Sequence, residues 1–304
     1  MKIDVTKFIE ERNEKLKSLV KELPEKPKIV TYLIGDRKDS QTYVKNKKKV
    51  IKSLGMEPDV DDLPDGIKVE QLANFIRTTA AKDNVHGILI QLPLNRKYYS
   101  KEDEQYLIDC IPPEKDVDGL TTINQAKLFM GEDTNTFLTP CTPTGIVELL
   151  RHEFSKDKNE PTLQGRDIAV VGRSQLLGNS LSQMLMRENA NVTMLHSKSG
   201  WDLSEYINNN MVGTVCLCAG VPNLLKADDI NSEVFHTIID AGINVGEDKK
   251  LRGDFCKEDY TKLDEMGIDY TTVPGGVGPI TTHMLGYNLY KAYCLQNNIE
   301  IRDI

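Results

Sequence analysis

The chain has 304 residues, enough for two domains that each bury a core of their own. Its 39% hydrophobic and 28% charged residues are typical of a soluble globular protein. The formal net charge of -8 argues against nucleic-acid binding, so we expect a small-molecule partner. No segment resembles a signal peptide or approaches the ~20 apolar residues of a membrane span. We therefore expect a cytoplasmic protein with no membrane partner.

The first half of the chain alternates predicted strands and helices. After an amphipathic N-terminal helix come a strand at 28–34, a helix at 40–54, a helix at 69–82 and a strand at 86–93. This order predicts an α/β domain with a parallel sheet, which binds ligands beyond the carboxyl ends of its strands. Gln91 lies near such an end, so its amide is either a satisfied core group or part of a ligand site.

The helix at 40–54 carries a run of lysines, one of which is out of place. An apolar stripe runs along it through Tyr43, Val44, Ile51 and Leu54, and Lys47 falls in the middle of that stripe. A lysine held against apolar side chains loses basicity because burial disfavours its charged form, and a neutral amine can do proton chemistry. A solvated basic face, the usual role of a charge run, describes the other lysines but not Lys47.

A rigid loop at 112–120, with two prolines and a glycine, contains Asp116 and Asp118. In an extended conformation both aspartates would project from one side. They are either turn and cap residues or acceptors for the N–H groups of a ligand. As metal ligands they are poor, because no histidine or further carboxylate follows at close spacing.

A helix with Thr142 as its expected N-cap and Pro143 at its first position marks the boundary to a second domain. A strand at 166–172 then leads through a glycine turn into another helix, as in a dinucleotide-binding βαβ unit. The spacing from Gly172 to Gly178 is GxSxxxG instead of GxGxxG, so this motif alone is a weak signal.

The residues after the next strand, at 191–195, bear on the choice of nucleotide. This strand ends at His196 without the carboxylate that NAD enzymes use to bind the ribose hydroxyls. Arg173, Ser197 and Lys198 instead offer donors suited to a 2′-phosphate. The residues therefore favour NADP over NAD.

Glycine turns also follow the predicted strands at 211–218 and 236–240, which suits a nucleotide lying across the carboxyl edge of a second parallel sheet. The loop at 270–282 has three glycines between Pro274 and Pro279, so a ligand can approach its backbone closely. We expect the last helix to pack back on the first domain. The six cysteines form no CxxC pair and have no histidine at ligand spacing, so they predict structural thiols and no metal.

Six motifs resemble, in order, those of the bifunctional methylenetetrahydrofolate dehydrogenase/cyclohydrolase family. They are SQTYVKNKKK at Ser40, GILIQLPL at Gly87, PPEKDVDGL at Pro112, PCTPTG at Pro140, VVGRSQLLG at Val170 and VPGGVGPIT at Val273. The resemblance implies a two-domain α/β fold with a cleft between the domains. Residues 1–141 and 280–304 would form the folate-binding catalytic domain, completed by the C-terminal helix, and 142–279 a Rossmann-like NADP-binding domain.

The resemblance implies NADP-dependent oxidation of 5,10-methylenetetrahydrofolate to the methenyl compound and hydrolysis of that compound to 10-formyltetrahydrofolate, within one-carbon metabolism and purine biosynthesis. Lys47 matches the catalytic lysine and Gln91 the glutamine that contacts it. Tyr43 matches the tyrosine that stacks on the folate, and Asp118 the carboxylate that binds the pterin. Ser40, Pro274 and Gly275 match residues near the folate.

On the cofactor side the resemblance assigns the ribose phosphate to Arg173, Ser174 and Ser197, and the turn to Gly172 and Gly178. Ile243 and Asn244 match the loop that approaches the nicotinamide. Ser180 departs from the family pattern, which has a proline where the helix starts. The resemblance also implies a homodimer formed through the cofactor domain.

Two other functions stay open at this point. The chain could be a dehydrogenase that has lost the hydrolytic step, although the joint presence of Tyr43, Lys47, Gln91 and Asp118 argues against this. It could also be a folate- or nucleotide-binding protein without turnover, which the intact Lys47 disfavours.

Overall fold

The computed structural model describes residues 1–155, 162–246 and 250–304, and the chain divides into two compact units. The first unit consists of Glu10–Cys141 and Thr282–Ile304, and the second of Met1–Ile9 and Thr142–Thr281. Each contains a parallel sheet with helices, so the predicted two-domain α/β fold is confirmed.

Helices and strands alternate along most of the described chain. The α-helices are α1 Val5–Lys21, α2 Lys38–Ser53, α3 Val69–Ala80, α4 Lys101–Ile108, α5 Thr122–Met130, α6 Cys141–Ser155, α7 Ser180–Arg187, α8 Leu203–Asn209, α9 Tyr260–Glu265 and α10 Val277–Gln296. The strands are β1 Lys28–Ile34, β2 Glu57–Leu63, β3 Gly87–Ile90, β4 Asp167–Val171, β5 Asn191–Leu195, β6 Thr214–Leu217, β7 Thr237–Asp240, β8 Asn244–Val245, β9 Leu251–Arg252 and β10 Asp269–Tyr270. Within the described ranges, no helix has the length and apolar character needed to cross a membrane.

The sheet of the first unit has the order β2-β1-β3, with all strands parallel. The apolar β1 lies in the centre, and its Tyr32 side chain packs in a core with residues of α3 and α4 such as Ile76 and Leu107. On β3, Gly87 lies so close to Val117 and Leu289 of α10 that a Cβ there would meet their side chains at 2.5 and 2.9 Å. The strand is thereby enclosed, and its carboxyl end leads directly to Gln91.

The second sheet has the order β10-β7-β6-β4-β5, again all parallel. From β4 the chain moves outward to the edge strand β5 and then returns to β6 on the other side of β4. The carboxyl ends of β4 and β6 therefore flank a topological switch point, where open α/β sheets bind their ligands.

The N-terminus differs from the expected domain bounds. Residues Met1–Ile9 were assigned by sequence to the first domain, but they belong to the second unit. Lys2 forms a parallel bridge with Tyr270, and the N–H of Ile3 donates to the Tyr270 carbonyl at 2.9 Å. Strand β10 lies at the sheet edge, so its unpaired backbone groups gain partners from this segment. At the other boundary, α6 begins at Cys141, which places Thr142 inside the helix and not at its cap.

Candidate active site

One face of α2 presents three of the predicted site residues of the first unit. Ser40, Tyr43 and Lys47 are spaced at i, i+3 and i+7, so they follow one another along the same side of the helix. Ser40 is buried in the first turn, whereas Tyr43 and Lys47 are partly buried. On the opposite side, the remaining lysines of the run are exposed: Lys45, Lys48, Lys49 and Lys52.

Lys47 has a specific hydrogen-bond partner. Its Nζ donates to Oε1 of Gln91 at 3.1 Å. Gln91 is only 9% exposed, and its own Nε2 donates to the carbonyl of Leu92 at 2.8 Å, so the amide is held in one orientation. The structure therefore brings together two residues 44 positions apart and aims a carbonyl oxygen at the lysine.

Asp118 and Cys141 complete a group around Lys47. The Cys141 thiol is buried and donates to the Val117 carbonyl at 3.2 Å. Burial raises the pKa of this thiol well above its usual range; Asp118 raises it further and Lys47 lowers it. The thiol thus lies within electrostatic reach of both. We call Lys47, Gln91, Asp118 and Cys141 the lysine cluster. Sequence reasoning missed Cys141, although it lies inside the PCTPTG motif.

The two aspartates of the loop have separate surroundings. Asp116 is 1% exposed, and its Oδ2 accepts from the N–H of Thr121 and from Nδ2 of Asn124 at 2.8 and 2.9 Å. Burial raises the pKa of its carboxyl group. Asp118 is only partly buried. The two do not project together as the extended pattern predicted, because Asp116 fixes the loop internally and leaves Asp118 beside Cys141.

The Tyr43 hydroxyl is a buried oxygen with no hydrogen-bond partner among the described residues. Burial, with a smaller contribution from the charge of Asp39, raises the pKa of this phenol. An unpaired buried hydroxyl costs about 1–3 kcal/mol, so it is a feature that a ligand could relieve.

In the second unit, a cavity of about 440 Å³ lies at the switch point between β4 and β6. Gly172, Arg173, Ser174 and Ser197, all predicted cofactor residues, line it. Residues that were not singled out for the cofactor also line it: Val171, Leu195, His196, Ser199, Trp201, Asp202, Leu203, Tyr206, Cys218, Ala219, Val221 and Leu224.

The turn after β4 is closely packed, which explains its glycines. Gly172 has φ +125°, and a Cβ there would meet the Cys218 carbonyl oxygen at 2.4 Å. A Cβ on Gly178 would lie 2.1 Å from the Gly172 carbonyl oxygen. Helix α7 then begins at Ser180, whose hydroxyl donates to the Gln175 carbonyl at 2.9 Å. A serine is therefore compatible with a helix start at this position.

Asp202 supplies a carboxylate to the cavity that the strand-end argument did not anticipate. Its Oδ1 accepts from the N–H of Glu205 at 3.1 Å and from the Ser204 hydroxyl at 2.6 Å, so it caps α8. These bonds lower the pKa of Asp202, the Ser204 bond contributing most. The sequence signal was an Asp followed three residues later by Glu, which is typical of a helix start.

The other predicted site residues lie outside the residues that line this cavity. Ile243 is exposed, and Asn244 donates through Nδ2 to Asp254 Oδ1 at 3.0 Å. Pro274 and Gly275 are exposed on the loop between β10 and α10, in the second unit. Among the residues that the structure describes, no group of three or more His, Cys, Asp or Glu could hold a metal ion.

Comparison with known proteins identifies relatives of both units. Residues 3–118 match the family model described as the catalytic domain of tetrahydrofolate dehydrogenase/cyclohydrolase. Residues 140–297 match the model of the NAD(P)-binding domain of the same family. The two matches together cover most of the chain.

Individual relatives cover nearly the whole length. The bifunctional protein FolD of Bacillus pumilus is 39% identical over 293 residues, 95% of this chain and 96% of its own. The crystal structure of the bifunctional enzyme FolD from Campylobacter jejuni superposes with a TM-score of 0.85 at 32% identity, covering 98% and 99% of the two chains. The Trypanosoma brucei FolD, solved with NADP cofactor and an inhibitor, has a TM-score of 0.81 at 28% identity, covering 96% and 97%.

Proposed function

The chain belongs to the tetrahydrofolate dehydrogenase/cyclohydrolase family, and we propose that the lysine cluster is the centre of its folate chemistry. It is a bifunctional one-carbon folate enzyme, with methylenetetrahydrofolate dehydrogenase and methenyltetrahydrofolate cyclohydrolase activities. The substrate is 5,10-methylenetetrahydrofolate, and the product is 10-formyltetrahydrofolate.

The first reaction removes hydride from the methylene carbon and leaves a cationic methenyl bridge between N5 and N10. NADP, when bound, accepts that hydride. The cavity of the second unit suits a dinucleotide because it lies at the switch point and its rim carries Arg173, Ser174 and Ser197. We assign these three to the ribose phosphate and Gly172 and Gly178 to the turn beneath it. Ile243 and Asn244 are the proposed nicotinamide-side loop.

The second reaction adds water to the methenyl carbon, and we assign the proton transfers to Lys47. In its neutral form the Lys47 amine accepts the proton of the attacking water as the new C–O bond forms. It returns that proton to N5 as the C–N5 bond breaks, while the hydroxyl group on the carbon loses its proton to solvent water, which leaves the formyl group on N10. Gln91 Oε1, 3.1 Å from Nζ, orients the amine for this transfer.

The remaining residues of the first unit are assigned to substrate binding. Tyr43 offers a ring for stacking and a hydroxyl that lacks a partner among the described residues. Asp118, a partly buried member of the lysine cluster, is a suitable acceptor for the N–H groups of a pterin ring. Ser40 lies one turn before Tyr43 on the same face of α2. The assignment of Pro274 and Gly275 to a loop near the folate stays a prediction.

The proposed cofactor preference is NADP over NAD. Arg173 is the only cation among the described residues that line the cavity, and Asp202 the only carboxylate. Because Oδ1 of Asp202 is already occupied by the α8 cap, we expect the Arg173 guanidinium to decide which ribose is bound. The relative from Trypanosoma brucei was solved with NADP.

The observation that carries the proposal is the hydrogen bond between Lys47 and Gln91 in a family of folate enzymes. The experiment mixes the protein with 5,10-methylenetetrahydrofolate and NADP, and follows the absorbance of NADPH and of the methenyl compound. We expect NADPH to form without accumulation of the methenyl compound. NADPH with accumulating methenyl compound would indicate a dehydrogenase alone, and neither signal would indicate a binding protein. A parallel reaction with NAD tests the cofactor preference.

We also propose a cytoplasmic homodimer that supplies 10-formyltetrahydrofolate for one-carbon transfer, including purine biosynthesis. All six cysteines are free, which suits a reducing compartment. Strand β5 lies at the edge of the second sheet, where two copies could pair. Light scattering of the purified protein would measure the oligomeric state; a monomer at micromolar concentration would contradict the dimer.

A further inference from the structure

Asp254 is a fully buried carboxylate in the second unit that collects four hydrogen bonds. Its Oδ2 accepts from the N–H groups of Ala219 at 2.7 Å and Gly220 at 3.0 Å. Its Oδ1 accepts from the N–H of Val221 at 2.8 Å and from Nδ2 of Asn244 at 3.0 Å. Three consecutive backbone donors on one carboxylate define the path of the loop they belong to.

The four donors come from two different loops at the nucleotide-binding edge of the sheet. Residues 219–221 follow β6, and Asn244 follows β7, the neighbouring parallel strand. Ala219 and Val221 line the cavity, whereas Asn244 belongs to the proposed nicotinamide-side loop. One side chain therefore ties the cavity wall to the segment that carries the reacting end of the cofactor.

Asp254 is itself held in place by a second buried aspartate. Asp240 Oδ1 accepts from the Asp254 N–H at 3.1 Å, and Asp240 Oδ2 accepts from the Phe255 N–H at 2.9 Å. Gly242 approaches so closely that a Cβ there would lie 2.1 Å from Asp254 Oδ1. The backbone of Asp254 is thus held by Asp240, and its carboxylate is confined by Gly242 and by the four donors.

We propose that Asp254 is a positioning residue for the nicotinamide cofactor, which fixes the 219–221 loop and Asn244 in the arrangement that binds it. This inference rests on the proposed function of the second unit. Asp254 does not touch the reacting atoms in this account; it acts through the loops whose N–H groups it holds.

The Asp254→Asn variant tests this with almost no change in side-chain volume. Each carboxylate oxygen accepts two donors, so an amide in either orientation turns its NH₂ toward two donors and loses two of the four bonds. We expect the Kd for NADP to rise about tenfold or more, because the 219–221 loop and Asn244 lose bonds that fix the arrangement in which they bind the cofactor. The dehydrogenase kcat/KM for NADP should fall with it. Hydrolysis of methenyltetrahydrofolate, which uses the first unit and no NADP, should stay at the wild-type rate.

Asp259→Asn is the matched control. Asp259 lies in the same unit with a side chain only 14% exposed, and it accepts from the Ala227 N–H at 3.1 Å, away from both loops. Its replacement should leave NADP binding unchanged. Gly242→Ala is a second route to the same effect, because the new Cβ must displace the Asp254 carboxylate without removing its charge.

The measurements separate this inference from the proposed function. NADPH formation by the wild-type protein tests the function, and the ratio of variant to wild-type NADP affinity tests Asp254. Unchanged NADP affinity in Asp254→Asn or in Gly242→Ala would overturn the positioning role. So would a parallel fall of dehydrogenase and hydrolase activities in both variants, because that result would mean a general loss of folded protein.

Discussion

The Nζ of Lys47 and the Oε1 of Gln91 are 3.1 Å apart, although the residues belong to a helix and to the end of a strand. An uncharged acceptor orients the amine without adding the negative charge that would stabilise its protonated form. A carboxylate in the same place would favour the ammonium ion, which cannot accept a proton.

The Gln91→Glu variant tests this relationship. We expect slower hydrolysis of methenyltetrahydrofolate at neutral pH, because a carboxylate beside the amine favours the ammonium ion, which cannot accept the proton of water. Initial rates of hydrolysis by the variant and the wild-type protein measure the effect. Equal rates would mean that an uncharged acceptor at this position is not required.

Tyr43→Phe separates stacking from hydrogen bonding. The hydroxyl is buried and lacks a partner among the described residues, so its removal should leave the free energy of unfolding unchanged or raise it by up to about 1 kcal/mol. The KM for methylenetetrahydrofolate should rise several-fold if the hydroxyl bonds the substrate, and Tyr43→Ala should raise it further because the ring is also lost. Equal KM values for wild type and Tyr43→Phe would restrict Tyr43 to stacking.

Arg173→Ala should lower the preference for NADP. Loss of a charge-assisted bond to the 2′-phosphate should raise the KM for NADP by about 10–100-fold and leave the KM for NAD unchanged. Lys257→Ala, an exposed lysine in the same unit, is the control for a loss of positive charge. If the two cofactors lose affinity equally in Arg173→Ala, the guanidinium does not recognise the 2′-phosphate.

Because His283 is buried, we expect the first unit to lose stability in acid. Its ring is fully buried, its Nδ1 lies 2.7 Å from Asn13 Oδ1, and burial, with the nearby charge of Arg12, lowers its pKa from 6.5 to about 4. Between these values the unfolded chain binds a proton that the folded chain does not. The contribution of neutral His283 to the free energy of unfolding is therefore complete above pH 6.5. It is lost as the pH falls toward 4, by up to about 3 kcal/mol.

Urea unfolding at pH 7 and pH 5 measures this contribution. His283→Gln should show a smaller decrease of the unfolding free energy between the two pH values than the wild-type protein, because glutamine does not titrate. A decrease of the same size in both proteins would assign the acid sensitivity to other groups.

The sequence predicts the strands of both sheets well where burial dominates. The apolar β1 and β4 and the helix that carries Lys47 follow directly from hydrophobic periodicity. Strand β2 was missed because its sequence, EPDVDDL, is acidic; it is an edge strand held by pairing with β1. The pairing of the N-terminal segment with Tyr270 of the second unit was not expected, because it is not visible in the sequence of that segment.

The residues of the candidate sites likewise divide into those that have a local signal in the sequence and those that have none. Lys47 stands out because a charge interrupts an apolar stripe, which is a local signal. Asp254 gives no such signal, since its backbone donors lie 33 to 35 residues earlier and only the folded loops bring them to one carboxylate. Asp202 was also not predicted to line the cavity, because only the folded segment after β5 places it there.

Lys47→Met tests the central claim most directly. The measurement is the initial rate of methenyltetrahydrofolate hydrolysis, with NADP and folate binding measured on the same protein and Lys45→Met, an exposed lysine of the same helix, as the control. General-base catalysis contributes about 10²–10⁴-fold, so we predict at least a hundredfold loss of hydrolysis in Lys47→Met, retained binding of both ligands, and a wild-type rate in Lys45→Met. Undiminished hydrolysis in Lys47→Met would contradict the account.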